Sequence, residues 1–379
     1  MISLGLSPAR QRLFEQALVS AHEIKFRVRV LDLNHRLIDD VTDQFLDGQV
    51  NVDGSRTPHR DLTLSLASKG LMAFESGNFS TGTNYSTRMM EVLYGVENRA
   101  LGDAVWVPVF VGPITSFSRE DATVNITAVS KEQLMMTKQW KARTYPKGTG
   151  KIAMITDLLR RNGETRIDMP PWPAKSDKPM TITAEAVVWD YLFMLGHSWG
   201  SGLLTYDSRG YAKLFATSLQ NRWTFRGGEG GSLLSQPKMS YSMGEEFTNA
   251  ARVYGKVTTT GTKPAYGEYV APASHPLSPA AMSRGGVPQY WGTIMRDAEV
   301  ANNRDATNLA KSLVEQGMIQ STTAEFDALP IPHLESWDMV TVSGDHFSSP
   351  FRLKKFSLPL NSSNPMTVGY TARVSKWRK

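Results

Sequence analysis

The residues whose types and spacing could do chemistry are Gly196-His197-Ser198-Trp199-Gly200. They match the G-x-S-x-G pattern, in which a serine sits on a sharp turn between a strand and a helix. The chemistry would be acyl transfer: Ser198 would attack an ester or amide carbonyl while a histidine takes its proton and a helix terminus faces the developing oxyanion. The surrounding elements do not suit that arrangement. Thr183 to His197 carries Val187, Val188, Tyr191, Leu192 and Leu195 at helical spacing, so Ser198 would end a helix rather than open one. A hairpin, not a helix, is expected after it. His275, His333 and His346 fall in loop or strand-edge contexts without an obvious acidic partner. Five residues with three fixed positions match often by chance. The expected set of catalytic residues is therefore empty, and a serine hydrolase of α/β-hydrolase type through Ser198 is the alternative.

Metal and cofactor chemistry finds less support. The seven histidines are scattered, with no pair at i, i+4 and no H-E-x-x-H, and the absence of cysteine removes thiolate ligands and disulfides. Gly227-Gly228-Glu229-Gly230-Gly231 lacks the Lys-Ser/Thr ending of a phosphate-binding loop. No cofactor or metal is expected. Of nine tryptophans most lie in apolar runs and read as core, although a carbohydrate-binding tail module is a further alternative. Trp291, inside a Pro/Gly-rich segment, is the best candidate for an interface anchor, with Tyr290, Tyr266 and Tyr269 of the same segment beside it.

The 379 residues exceed what one core usually supports, so two or three domains are expected. The formal net charge of +6 is spread among nearly as many acids as bases and reads as a solvated surface. The one concentration is Arg373, Lys376, Arg378 and Lys379 around Trp377, either a frayed end or a contact with an acidic neighbour. The apolar stretch from Ala186 to Gly196 contains Asp190 and falls short of the roughly 20 residues that span a bilayer. With no signal-like amino terminus, a soluble protein of a cytosol-like compartment is expected.

Hydrophobic period divides the chain. Residues 1–22 read as a short amino-terminal helix through Leu13, Phe14, Ala17 and Leu18. Residues 23–140 switch to period two, at Ile24, Phe26, Val28, Val30, then Leu62, Leu64, Leu66, then Val105 to Val111, then Val124, Ile126, Ala128. Short strands in series predict a first antiparallel β-barrel-like domain with a projecting loop at Ser76 to Thr87. Residues 141–230 carry two helical patterns, Thr149 to Asn162 and Thr183 to His197, then a hairpin turning at Asp207-Ser208-Arg209-Gly210. They read as a small inserted α/β domain. Residues 231–379 form a second β-barrel-like domain, with a structureless arm at 258–292, a helix from a cap at Asp297 through Ala306, Leu309, Ala310 and Leu313, and carboxyl-terminal strands that return to the first domain.

The order of these pieces resembles the baseplate hub, or tail-tip hub, family of tailed bacteriophages, whose long-tailed members are called minor tail proteins. It is carried by Val28-Arg29-Val30-Leu31-Asp32, Gly48 to Asp53, Asp61 to Leu66, Val107 to Ile114 and Val124 to Ser130. Val188-Trp189-Asp190, Leu204 to Gly210-Tyr211, Asn249, Val253-Tyr254-Gly255, His275 to Ser278, Ser336 to Val340 and Phe351-Arg352-Leu353 follow in the same order, so that residues 23 to 375 are covered. The family's usual glycine before the late Asp-x-Val is Trp337 here. The resemblance implies a β-rich α+β fold with two tube-like barrels and an insert, and a non-enzymatic virion protein. It implies a homotrimer at the tail tip, assembled in the host cytoplasm. Implied partners are the distal tail protein ring, a central fibre or spike and the tape measure protein. Genomic DNA would pass through its channel without sequence-specific binding.

Overall fold

The structure, a computed structural model, describes residues 2–68, 87–198, 203–215, 220–241, 247–255, 263–298, 300, 302–319, 322–344 and 348–371. Trp199, Gly200, His346, the carboxyl-terminal basic cluster and all but the last residue of the loop at Ser76 to Thr87 lie outside them.

Helix α1 (Pro8–Leu18) begins where the Ser7 hydroxyl accepts a hydrogen bond from the Arg10 amide. Then come β1 (Glu23–Asp32), β2 (Leu37–Asp40), β3 (Phe45–Asp53), β4 (Arg60–Ala67), β5 (Arg88–Glu97), β6 (Val105–Glu120) and β7 (Thr123–Val129). Period two survives intact in β4, where Leu62, Leu64 and Leu66 are buried and the residues between them face out. The long β6 changes partner along its length. It pairs with β5 through Val105–Pro113 and with β7 from Ile114 onward, with a register shift in each ladder, which is how one strand bends from one face of a core to another.

The carboxyl-terminal strands join the same sheet. β13 (Asn221–Arg226), β14 (Lys238–Tyr241), β18 (Thr322–Ala328), β19 (Met339–Ser343), β20 (Ser348–Pro359) and β21 (Met366–Thr371) extend it to thirteen strands, in the order β14-β18-β21-β20-β3-β4-β7-β6-β5-β1-β2 with β19 branching from β20 and β13 paired to β19. The first half of β20 lies against β19 and the second half against β3, from Lys355 opposite Asp53 to Pro359 opposite Gln49. Both ends of the chain therefore share one mostly antiparallel sheet and one continuous core, from Phe14 and Val28 to Phe356 and Val368. The protein is β-rich, as expected.

A second core, around Leu158, Leu192 and Leu204, belongs to α2 (Glu132–Met135), β8 (Arg143–Tyr145), α3 (Lys151–Arg161), β9 (Ile167–Asp168), β10 (Met180–Ile182), α4 (Val188–His197), β11 (Leu203–Tyr206) and β12 (Ala212–Phe215). Helix α3 ends on Arg160 and Arg161 with Gly163 at φ 85°. Helix α4 starts five residues later than its apolar spacing suggests. Residues 185–188 instead bind the strand-like run 137–139, Val188 to the Thr137 carbonyl and Glu185 to that of Gln139.

A third core is built from β15 (Ala250–Gly255), β16 (Tyr266–Val270), β17 (Gly292–Ala298) and α5 (Asn303–Ile319). Here the sequence misleads. From 263 onward the segment expected to be structureless is ordered: β16 pairs antiparallel with β15, β17 pairs parallel with it, and the turns between them hang on one side chain. Asn249, fully buried, donates to the carbonyls of Leu277 (3.2 Å) and Gln289 (3.1 Å) and accepts from the Trp291 amide (2.9 Å). The organising residue lies outside the segment, so no local period could reveal it. Asp297 lies in β17, and the helix is capped by Asn302, whose side chain accepts from the Asp305 amide at 2.9 Å.

Candidate functional site

Ser198 closes α4 and does not sit on an elbow. Its hydroxyl donates to the Leu195 carbonyl (2.7 Å) and accepts from Lys151 Nζ (3.0 Å), which also donates to Asp305 (3.0 Å). Lys151 is thus shared between the Ser198 hydroxyl and an ion pair with Asp305. His197 is turned to its own helix, with its ring 4.0 Å from that of Phe193. The Ser-His geometry of a hydrolase is therefore not formed by these residues.

The structure instead gathers a cluster of buried ionic groups where the second module meets the large sheet, and no spacing in the sequence announces it. Directly after β7, Lys131 and Glu132 point into this seam. Lys131 uses its three donors on Glu164 (2.9 Å), the Gly210 carbonyl (3.2 Å) and His35 Nε2 (2.9 Å). Burial and the charges of Lys131 and Arg166 hold the His35 pKa down to about 3, consistent with a neutral ring accepting that bond. Glu132 accepts from His59 (3.0 Å), the Thr205 hydroxyl (2.8 Å) and the Tyr206 amide (3.1 Å). Burial alone would raise its pKa, but His59 foremost, with the Ser130 hydroxyl and the residue's own backbone amide, holds it down to about 2.

Arg60 and Glu335 complete the seam as a buried ion pair, with the Ser208 amide donating to the other oxygen of Glu335 (3.2 Å). The hairpin tip at 207–210 is thereby held on both sides. Gly210 is at φ 74°, and a Cβ there would press on Val111 and Lys131. The turn before β19 resolves the one departure from the expected motif. Trp337 itself takes the left-handed conformation, φ 70°, with its amide bonded to the Leu353 carbonyl at 2.6 Å. Its indole covers Gly54, where any side chain would collide with it. A glycine in the facing loop makes the room that a glycine in the turn would have made. The arrangement is mechanical: buried ionic side chains next to the sheet strands hold the hairpin of the second module through hydrogen bonds and an ion pair.

Among the described residues, two exposed apolar areas stand out. One surrounds β17, an edge of the three-stranded sheet: Tyr290 is 62 %, Val287 61 %, Ile294 56 % and Trp291 38 % exposed. Of the sequence-expected interface residues, Trp291 packs edge-on to Phe247 (5.7 Å) and Tyr290 stands in water. Tyr266 lies across β15 near Tyr254 (5.2 Å), and Tyr269 packs on the third core. Trp291 and Tyr290 thus share a surface, while Tyr266 and Tyr269 belong to β16. The second area is β2, an edge of the large sheet among the described residues, where Leu37 and Ile38 are exposed, as are Leu33 and Leu46. Long exposed apolar edges are uncommon in monomers and invite pairing.

No family model matches the chain and no curated protein matches it. Solved structures do. The 43 kDa tail protein of prophage MuSo2 from Shewanella oneidensis matches with a TM-score of 0.60 at 11% identity, covering 93% of this chain and 98% of that one. The tail protein from Neisseria meningitidis MC58 matches equally, at TM-score 0.60 and 11% identity over 92% and 96%. Prophage tail protein gp18 from Listeria monocytogenes follows at TM-score 0.54 and 10% identity, over 92% and 95%. The resemblance read from the order of elements holds at the level of the fold: from end to end, this chain is built on the fold of phage tail proteins.

Proposed function

We propose that the chain is a non-enzymatic structural protein of a phage-type tail, a hub that assembles as a homotrimer at the tail tip or baseplate. In this reading the amino- and carboxyl-terminal strands form two barrel-like wall units per chain, and the α/β module is an insert between them. Three chains then offer six similar units to a six-fold distal tail ring above. A central fibre or spike is held below, the tape measure protein ends at the hub, and genomic DNA passes through the channel. Assembly takes place in the host cytoplasm and the product resides in the virion.

The observation that carries this reading is the end-to-end match to prophage tail proteins of nearly the same length. Free sheet edges with exposed Leu37, Ile38 and Ile294 support it physically, because ring closure would cover them. Light scattering on the purified chain, alone and with the adjacent tail proteins, is expected to give three times the chain mass. A monomer that binds neither neighbour would sink the trimeric hub. An ester or peptide hydrolysis activity lost in Ser198→Ala, with the fold intact, would replace it by the enzyme.

A further inference from the structure

A cleft separates the second module from the third. Its floor is a recess of about 330 Å3 holding Lys151, which is 7 % exposed and lies over the Trp172 ring at 5.4 Å. It opens into a groove of about 820 Å3 walled by residues 177–178, 263–266 and 302–304. Asp177, Asn302 and Arg304 line both spaces, so the two are one cleft.

Its charges do not cancel. Asp305 is paired with Lys151, and Asp177 accepts a hydrogen bond from Asn302. Glu268, which Tyr266 contacts, is taken by Arg252 at 3.2 Å. Lys175, Lys178, Lys263 and Arg304 are exposed and have no ion-pair partner among the described residues. The first turn of the 17-residue helix α5 opens on the same space and adds its own positive potential.

We infer that this cleft takes the carboxylate side chains of an acidic peptide segment presented by a neighbouring protein. A nucleic-acid duplex is a convex rod and does not enter a recess whose deepest cation is Lys151. A single strand would need open ring faces for its bases to stack on. Here one face of Trp172 is covered by Lys151, and Tyr266 packs against Tyr254. An extended peptide needs neither. Its carboxylates meet the rim lysines and Arg304 one by one, and its backbone has Asn308 within the lining.

Fluorescence anisotropy tests this with a labelled decapeptide of alternating glutamate and serine. A glutamine-serine peptide and a thymidine decamer serve as comparisons. The wild-type chain is expected to bind the acidic peptide at low ionic strength and to release it as salt approaches 1 M, where the screening length falls to about 3 Å. The combined variant Lys175→Glu, Lys178→Glu, Arg304→Glu is expected to weaken binding roughly tenfold or more. The control Arg12→Glu, Arg99→Glu, Arg119→Glu, with the same change in net charge on exposed positions elsewhere, should leave it unchanged. Thermal melting shows whether each variant is folded. Equal loss in both variants, no binding of the acidic peptide, or tighter binding of the thymidine decamer that the cleft variant abolishes would each overturn the inference.

Discussion

The large sheet and the third module solve the same packing problem with different materials. The sheet's core is filled with Phe110, Phe225, Phe351, Tyr94, Leu62 and Leu66, each almost wholly buried. The fully buried part of the third core is Ala251, Val253, Ala271, Ala298, Ala306, Ala310 and Val314, with Tyr269, Met295, Leu309 and Leu313 half-buried around it. In place of bulk it uses proximity: a Cβ on Gly267 would strike the backbone of Ala306 and Thr307, and one on Gly317 would lie 2.7 Å from Thr248 Cβ. Small residues let α5 lie directly on its sheet, but each buries little apolar area, so the module gains less from burial. The same module exposes Val287, Tyr290, Trp291 and Ile294. The thinner core and the greasier surface belong together, and a partner covering that surface would supply what the interior lacks.

This contrast can be broken in order of expected effect. Phe110→Ala should cost about 3–5 kcal/mol and lower the denaturation midpoint of the whole chain, since the core it empties is shared by both termini. Gly267→Val should cost about 1–3 kcal/mol through overpacking, and amide exchange should quicken in β15, β16 and α5 while β4 and β7 stay protected. Uniform loss of protection instead would mean that the two regions unfold as one.

A titration probes the sheet side. His333 is fully buried between Phe14 (5.3 Å) and Trp223 (5.8 Å), and neither ring nitrogen finds a hydrogen-bond partner among the described residues. Burial holds its pKa down to about 3. The unfolded chain therefore takes up a proton below its ordinary value of 6.5 that the folded chain refuses, so the contribution is complete above that value and is lost as pH falls toward 3. Glu132, held down to about 2, adds loss in the same direction from its ordinary 4.5 downward. His333→Phe should change stability little at pH 7.5 and flatten the fall between pH 6.5 and 4, as read by urea midpoints. The smallest expected effect is that of Trp291→Ser: within about 0.5 kcal/mol in the monomer, with a clear loss of assembly in light scattering. A large loss of monomer stability would make Trp291 a core residue.

How much of this was legible depended on range. Period two located β4, β6 and β7, and Gly163 and Gly210 marked where α3 and the hairpin stop, because each signal is written within a few residues. The arm at 258–292 was misread since Asn249 holds its described part from outside. The polar seam left no trace at all. His59, Arg60, Lys131, Glu132 and Glu335 look like solvated surface in one dimension, and only their three-dimensional convergence buries them. Trp337 shows the reverse case, a departure from a motif that looked disruptive and was absorbed by Gly54 across the gap.

The β3–β20 ladder has a consequence for biosynthesis. Gln49 and Ser357, whose side chains hydrogen-bond at 2.6 Å, stand 308 positions apart. At translation speeds of 5–20 residues per second, β3 waits on the order of 15 to 60 s for its neighbour to leave the ribosome. Throughout that interval its outer edge is open to other nascent chains, so the yield of this protein in the cell should depend on how quickly its last strands are made.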